Sequence, residues 1–126
     1  MDMVEQCDGR VVVIDDDAAV LESFQFMLEL AGFPVSGYGS ACAYLGAGAA
    51  RPCCMILDQH MPQMTGLELA TLLRANGDET PILLITAAPT PALEAKAAAC
   101  GVQRVLPKPT IEEDVIAFVR NSARLR

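Results

Sequence analysis

The chain has 126 residues, 52% of them hydrophobic and 20% charged, the size and balance of one α/β domain with its own core. Sixteen acidic against nine basic residues leave a net charge of −7, which excludes the clustered Lys and Arg that a nucleic-acid backbone demands. No stretch approaches the roughly 20 apolar residues of a membrane span, and the opening MDMVEQCDGR lacks the basic start and apolar run of a signal peptide. A soluble cytoplasmic protein is expected.

Cys7, Cys42, Cys53, Cys54 and Cys100 are odd in number and show no CxxC or zinc spacing, so reduced, mostly buried thiols are expected. Arg120, Arg124 and Arg126 fall in the last turns of a C-terminal helix, where cations favour the dipole.

In chain order, short aliphatic runs alternate with helical patterns, the signature of βα units on a parallel sheet. The strands are expected at Val11–Ile14, Pro34–Tyr38, Cys53–Asp58, Ile82–Thr86 and Val102–Leu106. Those at Val11, Cys53 and Ile82 are continuously apolar, as suits strands covered on both faces. After the first run, Val20, Phe24, Met27, Leu28 and Ala31 form a helical stripe stopped by Gly32, and Asp17 is placed to cap it. A second, short helix follows Ser40 and contains Gly46 and Gly48. A third spans about Gly66 to Ala75 and ends at the Asn76-Gly77 turn. A fourth starts with Thr90 as cap and Pro91 at the first helical position. Its only large apolar residue is Leu93, so it is expected to be the most loosely packed. The fifth opens on a Thr110–Glu113 capping box and turns Val115, Phe118, Val119 and Ser122 inward.

The polar residues at the strand ends carry the chemistry. Asp15, Asp16 and Asp17 follow the first strand, Asp58 ends the third, Thr86 ends the fourth, and Lys108 follows the fifth by two residues. In a parallel sheet all strand C-termini share one edge, and that edge binds ligands. Neighbouring carboxylates repel one another until a proton or a hard cation relieves them. Mg²⁺ takes oxygen ligands and keeps open positions for a phosphate oxygen. A carboxylate beside it is a competent nucleophile for phosphoryl transfer, and a hydroxyl and an ammonium can hold the phosphoryl oxygens.

With these residues in place, VVVIDDD (11–17), LDQHMPQMTG (57–66), LLITA (83–87) and LPKP (106–109) closely resemble the receiver domains of two-component response regulators, over essentially the whole chain. The resemblance implies a flavodoxin-like (βα)5 doubly wound fold, a five-stranded parallel sheet of order 2-1-3-4-5. It implies one receiver domain over 1–126, with an ordered core of about 9–123 and no output domain in the chain. It implies that Asp58 is the phosphoacceptor, that Asp16 binds Mg²⁺ directly and Asp15 through water, and that His60 offers its backbone carbonyl to the metal. The His60 ring is then expected to lie over the pocket mouth. Thr86 becomes the switch hydroxyl, with Ala87 behind it, and Lys108 the cation that touches the phosphoryl group. Met61, Pro62 and Gly66 shape the loop after the acceptor, and the Lys108–Pro109 bond is expected to be cis.

The implied partners are a sensor histidine kinase or a histidine phosphotransfer protein as donor. An output domain or target would be reached through the face of the fourth helix, fifth strand and fifth helix, and phosphorylation could drive homodimerisation. Such a domain catalyses only its own phosphorylation and dephosphorylation. In one respect the chain departs from the pattern: Val105 stands where many receivers carry an aromatic residue, so the usual relay from threonine to aromatic ring is absent. Switching would then run through the loop after Thr86 and the weakly anchored fourth helix. The alternative is a pseudo-receiver, a phosphorylation-independent interaction module. An Asp-dependent phosphohydrolase would want a second Asp where His60 stands, and a nucleotide binder a glycine-rich loop where the three aspartates stand.

Overall fold

The computed structural model describes residues 9–125, with side chains described through Ser122; Cys7, Arg126 and the side chain of Arg124 lie outside these. The elements are β1 (Val11–Ile14), α1 (Ala18–Leu30), β2 (Val35–Tyr38), α2 (Ala41–Ala47), β3 (Cys54–Asp58), α3 (Gly66–Ala75), β4 (Ile82–Thr86), α4 (Pro91–Ala99), β5 (Arg104–Pro107) and α5 (Glu112–Leu125). The strands form one parallel sheet of order β2-β1-β3-β4-β5. This is the expected doubly wound architecture.

Strand alternation builds two cores from one sheet. Val12, Ile14, Met55, Leu57, Ile82 and Leu84 face the helices α2, α3 and α4, where Tyr44, Leu69, Leu73 and Ala97 meet them. Val11, Val13, Cys54, Ile56, Leu83 and Ile85 face the other way, onto Phe24 and Leu28 of α1 and Val115, Phe118 and Val119 of α5. Every residue of β1, β3 and β4 is buried, which explains why these three strands read as unbroken apolar runs.

The caps follow the sequence closely at four of the five helices. Asp17 accepts from Ala19 and Val20 N–H, Ser40 from Ala43, and Thr90 from Leu93 with Pro91 behind it. Thr65 and Glu68 form a full capping box at α3, which the sequence reading did not single out. At α5 the expected Thr110 box does not form. The Asp114 and Val115 amides both donate to Ile111 O, so the helix begins one residue later.

Strand β5 also starts later than the Val102 expected. Gly101 adopts φ 79° and the Val102 amide still donates to Ala97 O, so the C-terminal wrap of α4 consumes Val102 before the chain can pair. The cysteines differ from expectation too. Cys54 is buried, but Cys42 is exposed on α2, because it lies beside the inward Ala41 on a short helix. Helix α4 buries only Ala97 fully, with Leu93 partly buried, in line with its alanine-rich composition. No helix among the described residues is long and apolar enough to cross a membrane.

Candidate functional site

The parallel register sets the site. Ile14 pairs with Leu57, so Asp15 is level with Asp58 on the neighbouring strand; Asp58 in turn pairs with Ile85 and Thr86 with Pro107. Order β2-β1-β3 places the direction change of the sheet between β1 and β3, where crossovers diverge and leave a crevice. Asp15, Asp16 and Asp58 open into that crevice, each offering an oxygen within 4.8 Å of the others. Asp15 and Asp58 are buried and Asp16 is exposed.

Lys108 reaches into the cluster from the turn after β5. Its Nζ lies 3.0 Å from Asp58 Oδ1 and 3.4 Å from Asp15 Oδ2, and its backbone N–H donates to Thr86 O. The Lys108–Pro109 bond is cis. Although Lys108 is near, Asp58 Oδ1 is a buried oxygen with no aligned hydrogen-bond donor. The contact is therefore an ion pair of poor hydrogen-bond geometry, and a lone pair on the acid stays open.

The electrostatics are unbalanced. Three carboxylates against one ammonium leave two negative charges, the complement of a single divalent cation. Burial raises the Asp15 pKa above 3.8 and the charge of Asp58 adds to this; the Asp17 N–H and Lys108 oppose it without cancelling it. Burial alone would depress the Lys108 ammonium, but its attraction to Asp58 and Asp15 outweighs this and holds its pKa above 10.5. A hard oxygen-binding ion fits this donor set, since it meets the open lone pair of Asp58 and the surplus charge together.

Thr86 is fully buried, Ala87 exposed and Val105 half-buried against the core beneath α4. Asp17 is outside the cluster, occupied as the cap of α1. Two contributions escaped the sequence reading. One is the His60 ring, whose Nε2 lies 3.0 Å from Thr86 Oγ1. Gln59 accepts the Leu67 N–H through Oε1 and the Gly66 N–H through its carbonyl, tying the loop after Asp58 to the start of α3. Neither residue belongs to a pattern of residue types with that job, so spacing alone held no signal for them. A cleft of about 430 Å³ is lined by Val20, Ser23, Phe24, Ile85, Lys108, Pro109 and Thr110, and the three aspartates are not among its lining residues.

Residues 11–120 match the family model of the response regulator receiver domain. The chain belongs to that family. This receiver domain is 33% identical over 119 residues to response regulator protein TmoT of Ectopseudomonas mendocina, covering 94% of this chain and 54% of that one. It is 39% identical over 113 residues to the transcriptional regulatory protein FixJ of Azorhizobium caulinodans, covering 89% and 54%. Among solved structures, chemotaxis protein CheY4 of Vibrio cholerae matches with a TM-score of 0.82 at 27% identity, over 90% of this receiver and 98% of that chain. The receiver spans about half the length of the curated relatives it matches.

Proposed function

We propose that this receiver domain takes a phosphoryl group onto Asp58 from a phosphohistidine donor, in a Mg²⁺-dependent reaction, and changes its surface in response. The observation that supports this most directly is Asp58 Oδ1, a buried carboxylate oxygen beside Lys108 and two further acids with no aligned donor of its own. An Asp58 oxygen attacks phosphorus in line with the donor nitrogen, the O–P bond forms as the P–N bond breaks, and the imidazole departs with the electron pair. Lys108, already between Asp58 and Asp15, turns from carboxylate to phosphoryl oxygen. Mg²⁺ held by Asp15, Asp16, Asp58 and the His60 backbone carbonyl would draw the donor phosphoryl group in and offset the charge of the cluster.

Thr86 then contacts the phosphoryl group, with Ala87 beside it, and the loop into α4 shifts. Because Val105 is too small to serve as a swinging ring, the readout passes through that loop and through α4, which buries little. A sensor histidine kinase or a histidine phosphotransfer protein is the donor. An output domain or target reads the face of α4, β5 and α5, and phosphorylation can promote a homodimer. The domain works in the cytoplasm and turns over no small metabolite. A phosphorylation-independent module finds no support in the site, since Asp15, Asp16, Asp58, Thr86 and Lys108 are all present.

Intact mass after incubation with acetyl phosphate, with and without Mg²⁺, tests this reading on wild type and Asp58→Asn. A gain of one phosphoryl mass that needs Mg²⁺ and is absent from the variant is expected. No gain from acetyl phosphate or from a phosphohistidine donor would overturn it.

A further inference from the structure

Thr86 Oγ1 has two partners in this state, the Ala88 N–H at 3.1 Å and His60 Nε2 at 3.0 Å. Strand parity says which way the side chain leaves β4. Ile82 and Leu84 face the core under α2, α3 and α4, and Thr86 follows them. Asp58 follows Cys54 and Ile56, which face α1 and α5, and Asp15 follows Val11 and Val13 to the same side. The Thr86 side chain and the Asp58 carboxylate thus leave the sheet on opposite faces, and the His60 ring is bonded to the Thr86 hydroxyl. To bring Oγ1 to the Asp58 side, χ1 must change to another staggered well, a rotation of roughly 120°. That rotation breaks the bond from the Ala88 N–H and also the bond to His60, and only the second depends on the side chain at position 60.

We propose that the His60 imidazole is a latch on Thr86, holding its hydroxyl turned toward the α4 side until a group on Asp58 competes for it. His60 is a positioning residue in this scheme, acting through Thr86. The bond does not depend on the charge of the ring. An imidazole and a hydroxyl can each donate or accept, so both neutral tautomers make it, and the imidazolium makes it as donor. The exposed ring can leave without disturbing the core, whereas the buried hydroxyl that it holds cannot be satisfied by bulk water alone. The effect on phosphorylation rests on the receiver chemistry proposed above; the rotamer preference does not.

Two variants separate the hydrogen bond from bulk. His60→Phe keeps a ring and loses the bond, while His60→Gln carries a nitrogen or oxygen the same number of bonds from Cβ as Nε2. Three-bond scalar couplings of Thr86 in the unphosphorylated domain are expected to report one χ1 rotamer in wild type and His60→Gln and averaging in His60→Phe. With Mg²⁺ present, beryllofluoride, a tetrahedral mimic of the phosphoryl group, should bind His60→Phe roughly 2- to 10-fold more tightly than wild type, the range for losing one competing hydrogen bond. A single Thr86 rotamer and unchanged affinity in His60→Phe would overturn the latch, as would equal changes in both variants. Should wild type bind no beryllofluoride and accept no phosphoryl group, the receiver chemistry fails, and the couplings still decide the latch.

Discussion

Gly66 is packed directly against the backbone of Asp58: a Cβ at Gly66 would lie 2.6 Å from Asp58 O and 2.7 Å from Leu84 Cδ1. A side chain at residue 66 would therefore force the start of α3 or the Asp58 backbone to shift. Strand β3 and this helix share a boundary in which one methyl group has no space.

Gly66→Ala should accordingly destabilise the domain by about 1–3 kcal/mol, the usual cost of overpacking a tight contact. It should also slow phosphoryl acceptance, because the group that must yield is the backbone of Asp58 itself. Urea denaturation and the rate of mass gain from acetyl phosphate check the two effects. Wild-type stability would show that α3 moves aside freely.

Asp15→Asn should act in opposite directions with and without metal. The raised pKa of Asp15 means that the folded, metal-free protein binds a proton more readily than the unfolded chain does. Its contribution to metal-free stability grows as pH falls through the folded value and is complete only below 3.8; at neutral pH the ionised acid is a liability. Removing that charge should raise the melting temperature of the metal-free protein at neutral pH, by on the order of 4 °C if the gain is 1 kcal/mol. With Mg²⁺ bound as proposed, millimolar Mg²⁺ should stabilise wild type, and the same variant should lose most of that stabilisation. Scanning calorimetry with EDTA and with Mg²⁺ compares the four states.

Lys108 predicts an alkaline limit. Its folded pKa lies above 10.5, so its stabilising contribution is fully present below 10.5 and is lost as pH rises through the folded value. Lys108→Met should be less stable than wild type at neutral pH, and the gap should narrow above pH 10.5. Melting temperatures across that range decide it. A gap that is constant with pH would mean that packing of the side chain, and not its charge, is what counts.

Helix α4 should be the least protected helix, with amide exchange faster than in α1. What holds its C-terminal end is Arg74 of α3, whose Nε donates to Cys100 O, Nη2 to Gly101 O and Nη1 to Asp78 O. Arg74→Ala should cost about 2 kcal/mol by leaving these carbonyls unpaired. It should speed exchange most at Cys100–Val102, which hydrogen-exchange mass spectrometry can localise. Protection equal to that of α1 would contradict the weak anchoring.

Much of the fold was legible because buried parallel strands and capped helices carry local signals. Val11–Ile14 and Ile82–Thr86 were bounded correctly since each is a complete apolar run between polar ends. The Gly66–Ala75 helix was stopped where expected by the Asn76-Gly77 turn, whereas its Thr65 cap was not singled out. At Val102 and Thr110 the reading slipped by one or two residues. There, two local signals overlapped, and the wrap of α4 and the Ile111 carbonyl took the backbone groups first. Five of the residues proposed for phosphoryl and metal chemistry stood out for a similar reason: Asp15, Asp16, Asp58, Thr86 and Lys108 are polar at or just beyond strand ends, whereas His60 entered only through the resemblance to receiver domains.

The sequence by itself determined the element order, the parallel sheet and the set of charges brought to one edge, because these follow from period, composition and chain direction. Tertiary structure alone decided which atoms meet. The 3.0 Å contact of His60 with Thr86, the open lone pair on Asp58 and the absence of room at Gly66 each join residues on different elements. Such contacts depend on sheet register and on how closely helix and strand approach. Those distances are set by packing of the whole core, and no local pattern encodes them.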